Sequence, residues 1–158
     1  MLPCMQGTLS DTEIEDLLSS ETFGHLGCTD GPKPYVIPMA FAYKENTIYG
    51  QTTAGKKVEI LRKNPQVCFQ VQDLQAHRWR SVLCHGLFEE LDFEALQRRE
   101  DVEAVRILTE RIGRIQEKVG IAVPFSFSDG ASPLTVNEKK SSLFRIVIQE
   151  KAGRFFMG

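Results

Sequence analysis

No two cysteines in this sequence are spaced as C-x-x-C. The four present, Cys4, Cys28, Cys68 and Cys84, stand far apart, which argues against zinc sites of the finger or ribbon type. Cys28, Cys68 and Cys84 fall in apolar, strand-like stretches, and small buried hydrophobes is the preferred reading over disulfides or a nucleophile. The histidines, His25, His77 and His85, form neither H-E-x-x-H nor any paired ligand spacing, so no metal site is expected. The phosphate loop G-x-x-x-x-G-K-[ST] is absent, as is the nucleophile elbow G-x-S-x-G. Charge of one sign is also lacking. Nineteen Lys and Arg against 21 Asp and Glu give a net charge of −2, too balanced for a broad field toward nucleic acid. No apolar run approaches the roughly 20 residues of a membrane helix. The first residues, MLPCMQGTLSDTEIEDLL, lack the basic start and apolar middle of a signal peptide. No nucleic acid, no membrane and a cytoplasmic location are the resulting expectations.

What is there suits one domain over residues 1–158, with 42% hydrophobic residues to build a core. Ser10-Asp11-Thr12-Glu13 fits a capping box that opens a short helix with Ile14, Leu17 and Leu18 on one face. A strand over 22–29 ends at the turn Asp30-Gly31. Residues 34–43, PYVIPMAFAY, alternate large and small, which allows both faces to be buried or something flat to lie on the small face. Pro38 cannot donate to a ladder, so an edge or bulge is expected there. Lys44-Glu45-Asn46 turns the chain into a strand over 47–51, and these three strands read as an antiparallel meander. A helix then ends near Asn64-Pro65, and a strand covers 66–72. D-L-Q-A-H-R reads as a polar loop before a long strand over 79–91, where Gly86 suggests a bulge or bend. Val105, Leu108, Ile112, Ile115 and Val119 make the stripe of an amphipathic helix within 93–120. Arg98-Arg99-Glu100-Asp101 reads as its solvated face. A polar loop over 125–138 precedes a closing strand over 142–149. About six short antiparallel strands with inserted helices fit a closed or partly closed barrel.

The stretch YGQTTAGKKVEILRKNP breaks a local rule. Ala54, Val58 and Leu61 recur at helical spacing, and Thr52, Thr53 and Gly55 stand at the entry. Yet Lys56 and Lys57 occupy the start, where the positive end of the helix dipole makes each cation cost about 0.3–1 kcal/mol. A phosphate held by the free amides and both ammonium groups resolves the conflict. The alternative is that both lysines are solvated. Trp79 reads as a core or interface anchor or as a stacking partner for a ligand, and Arg78 and Arg80 flank it. No side chain presents itself as an acid–base catalyst, and none is named.

In order, PYVIPMAFAY, IYGQTTAGKKVEIL, NPQVCFQV and WRSVLCHG resemble the pyridoxamine 5'-phosphate oxidase-like flavin-binding superfamily. Within it the chain is most similar to the nitroimidazole-resistance (Nim) related FMN-binding proteins. The resemblance runs from about Leu9 through Glu90. It implies a mainly β, α+β fold: a six-stranded antiparallel Greek-key split barrel with peripheral helices. It also implies a homodimer with FMN at the interface, each site drawing on both chains. By position, Lys56 and Lys57 would hold the FMN phosphate, with Thr52 and Thr53 near the phosphate or ribityl chain and Gln51 beside them. Ile37, Pro38 and Met39 would lie against the isoalloxazine, and Arg80, Ser81 and Val82 would approach it.

Two departures shape the expected function. The oxidase's R-x-x-x-L-K stretch and its C-terminal substrate segment have no counterpart, which argues against oxidation of pyridoxamine phosphate. Gln51 stands where Nim-type relatives often carry His, removing a proton donor or ligand. The expectation is an FMN-dependent oxidoreductase or reductase acting on a small molecule. The alternatives are a flavin carrier or sensor without turnover, a haem-binding split barrel with His25 or His85 as axial ligand, and an interaction module that binds no flavin.

Overall fold

The computed structural model describes residues 3–53, 55–91, 98–120, 127–128, 132–133 and 141–158. Ala54, residues 93–97 of the expected helical segment and most of the expected 125–138 loop lie outside them. The chain runs β1 (Met5–Thr8), α1 (Asp11–Ser20), β2 (Phe23–Asp30), β3 (Lys33–Ala40), β4 (Ala42–Lys44) and β5 (Thr47–Thr53). It continues through α2 (Lys56–Lys63), β6 (Gln66–Gln75), β7 (Arg78–Leu91), α3 (Arg99–Val119), β8 (Phe127–Ser128), β9 (Ser132–Pro133) and β10 (Ser141–Met157). Among the described residues, β8 and β9 pair with each other as a separate two-stranded sheet.

The main sheet has eight strands in the order β3-β2-β6-β7-β10-β5-β4, with β1 added on β10. It is curled into the half-barrel of an α+β split barrel, so the fold class read from the sequence holds. The expected six strands are corrected to eight. One extra strand is β1. The other arises because the 34–43 strand divides at Phe41 into β3 and β4.

That division also corrects the meander. β2 pairs with β3 and β4 pairs with β5, both antiparallel, but β3 and β4 end up at opposite edges of the sheet. Phe41 is where the chain crosses between them. It is fully buried, its amide donates to the Thr22 carbonyl at 3.0 Å, and its carbonyl accepts from Arg111 Nη1 at 2.9 Å. Arg111 donates as well to the carbonyls of Glu21 at 2.8 Å and Ser19 at 2.6 Å. One α3 guanidinium therefore ties the crossover to the end of α1.

The large–small alternation of β3 and β4 is used on both faces. Met39, Phe41 and Tyr43 enter the main core with Leu17, Phe69 and Phe144. Ala40 and Ala42 face a second cluster, where α3 brings Ala104, Val105, Leu108 and Ile112. Small side chains let the helix approach the sheet closely. The expected stripe is thus buried through Ile112, while Val119 remains 54% exposed and Gly120 ends the helix in the left-handed conformation at φ 67°.

Local signals hold at several boundaries. Ser10 and Glu13 form both bonds of the capping box, at 2.8 and 3.3 Å. Glu45 and Asn46 both have positive φ, 45° and 60°, as a two-residue β4–β5 hairpin requires. Gly86 faces the β10 backbone so closely that an added Cβ would sit 2.4 Å from the Val147 carbonyl oxygen. The register shift beside it falls on the partner strand, between Ile148 and Glu150.

The polar D-L-Q-A-H-R loop is a correction. β6 continues through Gln75, and only a tight turn at Ala76 and His77 separates it from β7. Cross-strand pairing of Asp73 with Arg80 and of Leu74 with Trp79 sustains the extra length. A second correction concerns Asp101. It is 3% exposed, not solvated, and accepts from Tyr49 Oη at 2.6 Å and Arg145 Nη1 at 3.1 Å. Tyr49→Phe should cost about 1–2 kcal/mol in urea unfolding, because a buried carboxylate loses a donor. A change within 0.3 kcal/mol, measured the same way, would refute that role (an effect that small is typical of surface substitutions).

Candidate functional site

The site grows from the β5–α2 junction. α2 starts at Lys56, with Gly55 as its N-cap and no side-chain cap hydrogen bond among the described residues. Thr52 and Thr53 belong to β5, and the Thr52 hydroxyl does not cap the helix. The last turn obeys the dipole rule with Arg62 and Lys63, and Arg62 makes a two-pronged pair with Glu90 at 2.7 and 2.8 Å. The first turn breaks it with Lys56 and Lys57. Val58, Ile60 and Leu61 anchor the other face in the core, so the helix cannot rotate its lysines away.

The two lysines differ. Lys56 is exposed, its side chain 71% accessible, and its ammonium lies 3.9 Å from the Asp30 carboxylate. It also stands 5.9 Å from the centre of the Tyr35 ring. Lys57 is half-buried, and burial pushes its ammonium below the ordinary lysine range. Just upstream, Thr52 is 1% exposed and its hydroxyl oxygen has no hydrogen-bond partner among the described residues. A buried orphan hydroxyl a few residues upstream of a helix start that carries two lysines is a donor set with chemistry suited to an anion. Gln51 is buried beside it on β5.

β3 lies across from this junction as the edge strand, as Pro38 indicated. Ile37 and Met39 turn inward, half-buried and buried against the main core. Val36, 70% exposed, and Pro38 turn outward. Any flat ligand on this face meets Val36, Pro38 and backbone, not the Met39 side chain. A groove of about 480 Å³ opens alongside, lined by Tyr35, Val36, Cys28, Cys68, His85 and neighbouring residues. That is within the range of small-molecule sites. The sequence reading did not single out Asp30, Tyr35 or Val36 for the site. Only the large–small alternation of β3 carried a signal for Tyr35 and Val36, and nothing in the sequence placed Asp30 beside Lys56.

Arg80, Ser81 and Val82 stand elsewhere. The register pairs His25 with Gln70 and Arg80 with Asp73, which puts Arg80 level with residue 22, eight residues from Asp30 along β2. That is roughly 25 Å at the usual strand rise of about 3.3 Å per residue. Arg80 is committed to Asp73 at 2.5 Å and lies 3.5 Å from Asp16. Ser81 accepts from Gln70 Nε2 at 3.2 Å, and Val82 is fully buried. One chain does not bring this group to the lysines.

The remaining candidates are bland. All four cysteines are free; Cys28 and Cys84 are buried, and burial pushes the Cys84 thiol up to about 12. His25 Nδ1 lies 3.2 Å from Gln70 Oε1 on the outer face. Among the described residues no three His, Cys, Asp or Glu gather as a metal site. Trp79 is 40% exposed and stacks on Phe156 at 5.2 Å. No helix among the described residues is long and apolar enough to cross a membrane.

Solved structures share this architecture. A FAD-binding protein from Mesorhizobium loti superposes with a TM-score of 0.75 at 26% identity, covering 99% of this chain and 100% of that one. A candidate 5-nitroimidazole antibiotic resistance protein from Bacteroides thetaiotaomicron gives a TM-score of 0.67 at 22% identity, covering 98% and 90%. An uncharacterized protein from Rhizobium meliloti is 29% identical over 84 residues, 52% of this chain and 56% of that protein. The chain thus spans about half the length of the curated relative it matches. The model of the pyridoxamine 5'-phosphate oxidase family matches residues 10–154, and the chain belongs to that family.

Proposed function

We propose that the protein is a cytoplasmic FMN-binding homodimer that acts as a flavin-dependent oxidoreductase on a small molecule. The observation that carries this reading is the start of α2. Two lysines stand there against the dipole, a few residues downstream of the orphan Thr52 hydroxyl. These groups fit a phosphate: the amides of the first turn and both ammonium groups would bind it, and Thr52 Oγ would donate to it. Thr53 and Gln51 continue the same strand toward the ribityl chain. The outward face of β3 at Val36 and Pro38 would support the ring system, with backbone groups of residues 37–39 at its edge. Bound there, FMN would supply the hydride and electron chemistry.

The distance between the lysines and Arg80 supports a dimer. Within one chain they lie at opposite ends of β2, so a site that uses both takes Arg80 and Ser81 from a second copy. The similarity to a protein described as FAD-binding supports a flavin ligand. Light scattering should give twice the 17.8 kDa chain mass; a monomer that still binds FMN would remove the shared site. Turnover is tested with FMN-loaded protein, NADH or NADPH and an artificial electron acceptor. Bleaching of the flavin followed by reoxidation is the expected result. Stable oxidised flavin with either donor would refute the reductase reading and leave a carrier.

A further inference from the structure

The β2–β3 hairpin brings two more charged groups to the same end of the molecule. Asp30 and Lys33 are directly paired across it, around the turn at Gly31. Lys33 Nζ lies 5.7 Å from the centre of the Tyr35 ring, and Lys56 Nζ lies 5.9 Å from the same centre. Lys57 acts electrostatically on Cys28, which is the cross-strand partner of Tyr35. Two ammonium groups from two separate elements, Lys33 and Lys56, stand within 6 Å of the centre of one half-buried ring. Asp30 places a carboxylate beside them, 3.9 Å from Lys56.

Lys33 and Lys56 against Asp30 leave a net positive charge at neutral pH, opposite in sign to a phosphate. A phosphate monoester carries about −1.5 to −2 at that pH. Without ligand, Asp30 partly neutralises Lys56 and relieves the conflict with the helix dipole. With ligand, the same carboxylate faces the incoming phosphate and repels it.

We propose that Lys33 is a third arm of the phosphate grip and that Asp30 is a built-in counter-anion which the phosphate of the ligand displaces from Lys56. This rests on the flavin-phosphate reading of the site. Asp30 sets the affinity for phosphorylated ligands, and Lys33 links the hairpin to the bound state.

The test compares FMN with riboflavin, which lacks the phosphate, by quenching of flavin fluorescence. Lys33→Gln should weaken FMN about two- to fivefold, as expected for one exposed charge. Asp30→Asn should tighten FMN by a similar factor. Riboflavin should change by less than about 1.5-fold in both. In a Lys56→Gln background the effect of Asp30→Asn should shrink, because the pair is already broken. Unchanged FMN affinity in both variants would overturn this inference alone. Equal changes for FMN and riboflavin would also overturn it, since they would reflect hairpin shape and not charge. If the unsubstituted protein binds neither flavin, the parent reading falls and takes this one with it.

Discussion

Lys56→Ala combined with Lys57→Ala should weaken FMN about 100-fold and leave riboflavin almost unchanged. The reasoning is electrostatic. Each lysine supplies a charge-assisted hydrogen bond, worth about 1.5–3 kcal/mol when well formed. Lys56 is 71% exposed, so its share is reduced by solvent. Lys57 is half-buried, and its charge is felt through less water. About 1.4 kcal/mol for each gives two factors of ten. Riboflavin has no phosphate to lose. The fold should tolerate the change, because Val58, Ile60 and Leu61 carry the packing of α2. Titrations of both ligands give the answer. Equal weakening for FMN and riboflavin would mean that the lysines shape the helix and do not grip a phosphate.

Asp73→Ala should destabilise the protein by about 3 kcal/mol. Asp73 and Arg80 are 8% and 11% exposed and joined at 2.5 Å. Removing one partner of a buried pair leaves the other charge without compensation, at a cost of about 3–5 kcal/mol. Asp16, 3.5 Å from Arg80, holds the effect to the lower end. The pair also predicts a pH dependence. The hydrogen bond from Arg80 holds the Asp73 carboxyl below the usual carboxylate range. A carboxylate depressed in the folded state stabilises fully above its unfolded pKa near 4. That stability disappears as pH falls from there through the lower folded value. Urea unfolding at pH 7 and at pH 3 should show a smaller gap between wild type and Asp73→Ala in acid. A gap that stays constant or widens in acid would contradict the assignment.

These two sites mark what the sequence could and could not convey. The start of α2 was legible because cations at a helix N-terminus violate a local rule, and a violation is visible in one dimension. The capping box at Ser10, the stop at Asn64 and the edge position of Pro38 were legible because each follows from local chain chemistry. The Asp73–Arg80 pair was not. Asp73 and Gln75 look like loop residues until the partner strand is known, and partnership is a tertiary fact. Asp101 misled similarly, since a charge in a polar run reads as solvated until Tyr49 and Arg145 are placed beside it. The crossing at Phe41 has no local signature. It is held by tertiary partners, the Thr22 carbonyl at its amide and Arg111 of α3 at its carbonyl. At the site, the outward exposure of Val36 and the placing of Asp30 beside Lys56 depend on how β2, β3 and α2 assemble. The separation of Arg80 from Lys56 likewise required the register.

The most direct test is an absorbance spectrum of the purified protein followed by titration with FMN. The account predicts the bands of oxidised flavin on purification, or tight saturable uptake of one FMN per chain. A colourless protein that takes up no FMN would contradict it and leave the lysines of α2 as a surface for some other anion.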